Sequence, residues 1–156
     1  MEPVKRDFGQ AVIAGFVATA ILTALMYAAP LVGLPHIDLA SALGTPFAGA
    51  PALTFTGSWW LGLAIFFLFG SVVSPYVFVY AFPGLLGYSW IRGIEWGVFV
   101  WVFGGVAVMT AMGLGFNEAH YAHPFSSLFS SLAGHIVYGA ILGGIAGRTL
   151  MHFREA

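Results

Sequence analysis

Residues 125–150 read FSSLFSSLAGHIVYGAILGGIAGRTL, an apolar run with one histidine, His135, near its middle. A run of this length matches the ~20 residues needed to cross a hydrocarbon core about 30 Å thick. Inside a bilayer every backbone N–H and C=O must be satisfied within the segment, so such a run is a helix. Written on a helix, Ser131, His135, Gly139, Gly143 and Gly147 share one i, i+4 stripe. Lipid supplies no hydrophobic drive between helices, so a small-residue stripe marks close packing. The run is therefore expected to be the central helix of a bundle, with His135 turned inward.

Three more apolar runs precede it, at 8–29, 58–82 and 94–113. Charged residues make up 7% of the chain, against about a quarter in soluble domains. The chain is expected to be an all-α membrane protein, with four transmembrane helices in one domain over 1–156. Asp7 is placed to cap the first helix, and Asp38 a short helix of one or two turns at the membrane surface. That second helix falls in the long connection 30–57, broken by Pro30, Pro35, Pro46 and Pro51. Pro75 should kink the second span in its last third, and 83–93 should be a tight connection. The net charge of -1 gives no footing for nucleic acid. The absence of cysteine removes thiolate metal sites and disulfides.

All five Lys and Arg residues (Lys5, Arg6, Arg92, Arg148, Arg154) fall on one side of a four-span chain. The positive-inside rule then places both termini in the cytoplasm, in a bacterial inner membrane. A parallel 2+2 helix repeat is also suggested. Thr23-Ala24 matches Thr110-Ala111, and His36 and His123 follow these threonines at equal offsets.

Gly15, Thr19, Thr23-Ala24-Leu25-Met26, Pro30, Gly33, Pro35, Asp38 and the closing Gly134-His135-Ile136-Val137-Tyr138-Gly139 carry a resemblance over most of the chain. In these motifs the chain resembles an uncharacterised family of small four-helix bacterial integral membrane proteins, a domain of unknown function. The resemblance implies four spans in one domain and brings no activity and no catalytic residues.

His135 lies ten residues into its run, roughly 15 Å deep at about 1.5 Å per residue. A charge there is costly, so a neutral ring is expected. It is expected to hydrogen-bond a neighbouring span, with Thr19 as first partner and Ser71 as second. The competing reading is an axial ligand to haem b, but no other span holds the second histidine that a bis-His haem needs. His36, Asp38, Glu118, His120 and His123 gather in the two outer loops, where imidazole and carboxylate could hold a transition metal. Gly139, Gly143 and Gly147 form one small packing face of the last span, with the first span as its expected partner. Ala140 and Gly144 form a second, rotated face.

No carboxylate lies within a span and no nucleophile–base set shares one depth, so no catalytic constellation is found and no enzyme is expected. The leading expectation is a non-catalytic membrane subunit docked on a larger bacterial complex of a respiratory or photosynthetic electron-transfer chain. Its partners would be the lipid bilayer, including bound lipid, and other membrane subunits. The alternative is a small haem- or metal-binding redox protein using His135 or the outer histidines.

Overall fold

A computed structural model describes residues 7–36, 38–48, 55–105 and 124–152. Among them there are helices and no strands. Helix α1 spans Phe8–Ala28. Asp7 caps it as expected, its Oδ1 accepting the Gln10 amide at 3.0 Å. The helix tightens into a 3₁₀ turn at Ala29–Val32. Gly33 then ends it in the left-handed region, at φ 79°, the conformation that glycine adopts without a Cβ penalty.

Helix α2 is Leu39–Ala48, nearly three turns where one or two were expected. It is also no loose surface flap. A Cβ placed on Gly62 of the next helix would collide with the Ala40 carbonyl and lie 2.6 Å from the Gly44 nitrogen. The two backbones therefore touch, and the contact holds α2 against the second span.

The second span is a composite. Helix α3 (Gly57–Leu68) runs into a π turn at Phe69–Val73, then into α4 (Ser74–Ala81) and a 3₁₀ turn at Phe82–Gly84. The sequence reading expected a kink at Pro75. The helix instead widens by one residue just before the proline, and the Ser74 N–H bonds to the Phe69 carbonyl five residues back.

Helix α5 covers Ser89–Phe103, so the expected connection over 83–93 is shorter than predicted and Ser89–Gly93 is already helical. Arg92 fixes this corner. Its Nε donates to the Gly87 carbonyl at 2.9 Å and its Nη1 to the Phe82 carbonyl at 3.2 Å, with the guanidinium 4.8 Å over the Phe82 ring. Helix α6 is Pro124–His152.

Among the described residues three stretches are long and apolar enough to cross a membrane: Phe8–Val32, Gly57–Gly84 and Phe125–Leu150. The described part of the expected third span stops at Gly105, and its remainder at 106–113 lies outside the described residues. Helix α1 packs on the π turn, α4 and α6, while α5 packs along α6. The shared core contains Ala14, Leu22, Phe78, Trp96, Tyr138 and Leu142. Many large apolar side chains face outward, among them Phe16, Leu68, Phe69 and Phe103. A water-soluble domain would bury such a set; a bilayer accepts it.

Candidate functional site: an apolar cavity over a hydrogen-bonded floor

The closest helix crossing is built from glycine. A Cβ on Gly93 or Gly97 of α5 would run into the Gly139 and His135 carbonyls of α6. In return, a Cβ on Gly139 or Gly143 would run into the Gly93 and Ser89 carbonyls. Gly147 closes the row, its Cβ direction 2.7 Å from Ser89 and 3.0 Å from Phe82. The stripe at 139, 143 and 147 therefore faces α5, which corrects the expectation that it faces the first span. The reason is Gly93 and Gly97, a four-residue spacing of the same kind that the sequence reading had divided between the connection 83–93 and the span 94–113 and passed over. Helix α1 reaches α6 higher up, where Leu22 lies under Gly134. Among the described residues nothing lies within 4 Å of the Gly144 Cβ direction.

Where α1, the π turn, α5 and α6 meet, four polar groups form a chain. In the π register the Gly70 carbonyl would be served by residue 75, a proline without an N–H, and the Ser74 amide is already committed to Phe69. The Tyr138 hydroxyl fills the vacancy at 2.7 Å. It also lies 2.9 Å from the Ser74 hydroxyl, which accepts the Trp96 indole N–H at 3.0 Å. A phenol has one proton. The carbonyl can only accept, so that proton goes to Gly70 and the Ser74 hydroxyl donates to Tyr138. The chain Trp96, Ser74, Tyr138, Gly70 is then fully satisfied and ties α4, α5 and α6. The aromatic run of the second span gave no sign of Tyr138 or Ser74. The signal available was a proline within a span, which always leaves carbonyls to be served by other groups.

Gly15 and Thr19 sit on the same π turn. A Cβ on Gly15 would strike Pro75 and lie 2.8 Å from the Gly70 carbonyl, and one on Gly70 would strike the Thr19 hydroxyl. Thr19 and Ser71 are buried, and neither hydroxyl has a hydrogen-bond partner.

Above this floor lies a cavity of about 700 Å³. Its walls come from the C-terminal half of α1, from α2, from α3 with the π turn, and from α5 and α6. Leu25, Met26, Leu43, Phe47, Ile65 and Val100 give it an apolar lining, and none of the described lining residues carries a full charge. His135 lines it, together with Thr19, Ser130 and Ser131.

The expected bond from His135 to Thr19 or Ser71 is not formed. Nδ1 lies 2.8 Å from the Ser131 carbonyl of its own helix, one turn back and in reach without leaving α6. A carbonyl only accepts, so Nδ1 carries the proton and the ring is the tautomer with its lone pair on Nε2. No hydrogen bond to Nε2 is formed among the described residues. Such a nitrogen can accept a hydrogen bond or ligate a metal. For haem, the described cavity offers one imidazole, the Met26 thioether and no cation to meet propionates.

At the end of the bundle where α1 runs into α2, Asp38 acts as a structural knot. Its carboxylate accepts the Ser41 amide at 3.0 Å, the Ser41 hydroxyl at 2.7 Å, the Trp59 indole at 3.1 Å and the Tyr27 hydroxyl at 3.3 Å. Partial burial works against its charge, yet the Ser41 and Trp59 donors and nearby His36 prevail and hold its pKa below the ordinary 3.8. The His36 ring lies tilted against Tyr27, with centroids 5.4 Å apart. Among the described residues no three His, Cys, Asp or Glu side chains gather as a metal site. The other members of the expected outer set, Glu118, His120 and His123, lie outside the described residues.

Comparison with curated proteins and with solved structures finds no match in either. A family model does match, over residues 5–154, nearly the whole length. With its glycine crossing, its proline-linked floor and its three membrane-length helices, the chain belongs to a family of unknown function, DUF6789.

Proposed function

We infer that this protein is a non-catalytic, multi-pass membrane subunit that docks through its last helix on a larger bacterial membrane assembly. The observation that carries this reading is the open face at Gly144. Three glycines of α6 are spent on α5, whereas Gly144, one position round the helix, meets nothing within 4 Å among the described residues. In lipid, close backbone approach is what small residues offer, and a second such face invites a second helix. A chain with four spans, both termini cytoplasmic and a parallel 2+2 arrangement suits that role. An electron-transfer complex remains the proposed host.

The test is native purification from membranes with identification of co-purifying proteins. Stoichiometric membrane partners are expected for the natural chain and their loss for Gly144→Leu, with the monomer fold retained. A chain that purifies alone at its own mass, with no partner lost on that substitution, overturns the reading. The haem alternative has one observation in its favour, the free Nε2 of His135, and would show as a Soret band in the purified protein.

A further inference from the structure

The cavity is a second feature, independent of the docking face, and its chemistry selects a ligand. A volume of about 700 Å³ is within the range of small-molecule sites, about 300–1,000 Å³. Its lining is aliphatic and aromatic, so the body of the ligand is apolar. No described lining residue is charged, so a carboxylate or phosphate would be buried at membrane depth without a counter-ion, which is costly. The ligand is therefore neutral.

Its polar contact is set by His135. The Ser131 carbonyl holds the proton on Nδ1, leaving Nε2 as an acceptor that asks for a donor. The floor hydroxyls do not supply one, because Tyr138 donates to the Gly70 carbonyl and Ser74 donates to Tyr138. The Thr19 hydroxyl is fully buried against Gly70 and does not reach the ligand. Nε2 therefore selects a donor, and the donor that a neutral lipid carries is a hydroxyl.

We propose that this cavity binds a neutral hydroxyl-bearing lipid, an alcohol or phenol on a long hydrocarbon chain, whose O–H donates to Nε2 of His135. The chain lies along Leu25, Met26 and Leu43 toward the end where α1 runs into α2, and the head rests near the Tyr138–Ser74 floor.

The probe is a bromine-tailed 4-decylphenol, compared with its methyl ether, which keeps the shape and loses the donor. Binding to the purified full chain in lipid nanodiscs is read as quenching of tryptophan fluorescence, and Trp101, which lines the cavity, is assigned by comparison with Trp101→Phe. Saturable quenching by the phenol is expected. The ether should bind about three- to tenfold more weakly, the range implied by one membrane hydrogen bond. His135→Leu should make the two probes equal, while His135→Gln, which retains an acceptor, should keep the preference. Should His135→Leu fail to fold, the comparison in the natural chain and in His135→Gln still decides. Equal affinity of phenol and ether in the natural chain, absence of saturable quenching, or a Soret band from haem on His135 would each overturn the proposal.

Discussion

Replacing Tyr138 by Phe removes one oxygen from the centre of the bundle, and its cost can be worked from the geometry. The Gly70 carbonyl loses its only side-chain donor, and the neighbouring proline cannot replace it. A buried acceptor left bare costs about 1–3 kcal/mol, while hydrogen bonds between membrane helices average about 0.6 kcal/mol. The remedy is close by. The Ser74 proton, freed from Tyr138, sits four residues from Gly70 on the same helix and can turn back to its carbonyl, as serine often does. Tyr138→Phe alone should therefore cost only about 1 kcal/mol. In a Ser74→Ala background that rescue is gone, and the same change should cost about 2 kcal/mol or more. The assay is a double-mutant cycle on reversible unfolding in mixed micelles, followed by tryptophan fluorescence. Costs that simply add, or a single change indistinguishable from the natural chain in both backgrounds, would refute the donor order assigned to this chain.

Other expectations follow from the same contacts. Gly93→Leu drives a side chain into the Gly139 carbonyl and should cost at least about 2 kcal/mol, whereas Gly144→Leu should stay within about 0.5 kcal/mol for the isolated monomer; thermal unfolding of both ranks them. Asp38 has a folded pKa below its ordinary 3.8, so its contribution is present above that value and is lost as pH falls through the lower folded one. Stability should be flat in this respect from pH 7 down to about 5 and decline below about 4. Asp38→Asn should abolish that decline, and an unchanged acid transition in the variant would contradict it. A C-terminal reporter active only outside the cytoplasm should be silent; a signal would reverse the topology drawn from Lys5, Arg6, Arg92, Arg148 and Arg154.

Much of the fold was legible because membrane helices are written in long, uncharged runs, and the caps at Asp7 and Asp38 follow from side chains acting three residues along their own helix. The site was less legible, for reasons of distance. Tyr138 and Gly70 are 68 positions apart, and nothing in either run says which aromatic of 15 Phe, 6 Tyr and 5 Trp will reach the carbonyl that Pro75 leaves unserved. His135 was placed correctly on its stripe, but its partner was sought across the bundle, although an imidazole can reach the carbonyl one turn back at no cost in register. The partner of the glycine stripe was misassigned because Gly93 was read as the end of a connection and Gly97 as part of the next span, so their pairing was missed. Their spacing was visible, but the start of α5 at Ser89 was not.

The π turn at Phe69–Val73 acts as a phase shifter. One residue of an α-helix turns the chain by about 100°, so a single extra residue swings everything after it through about that angle. Above the turn, Trp59 and Gly62 address α2; below it, Pro75, Phe78 and Phe82 address the core shared with α1 and α6. One continuous rod is thereby made to present two unrelated faces to two sets of neighbours. Excising one residue from this turn would leave composition and hydropathy almost untouched. It would nonetheless rotate the lower third of the span, carry Phe78 out toward lipid and bring Pro75 against a carbonyl that the wider turn now keeps away. In this protein an insertion of one residue, and no change of residue type, is what lets a single span serve two interfaces.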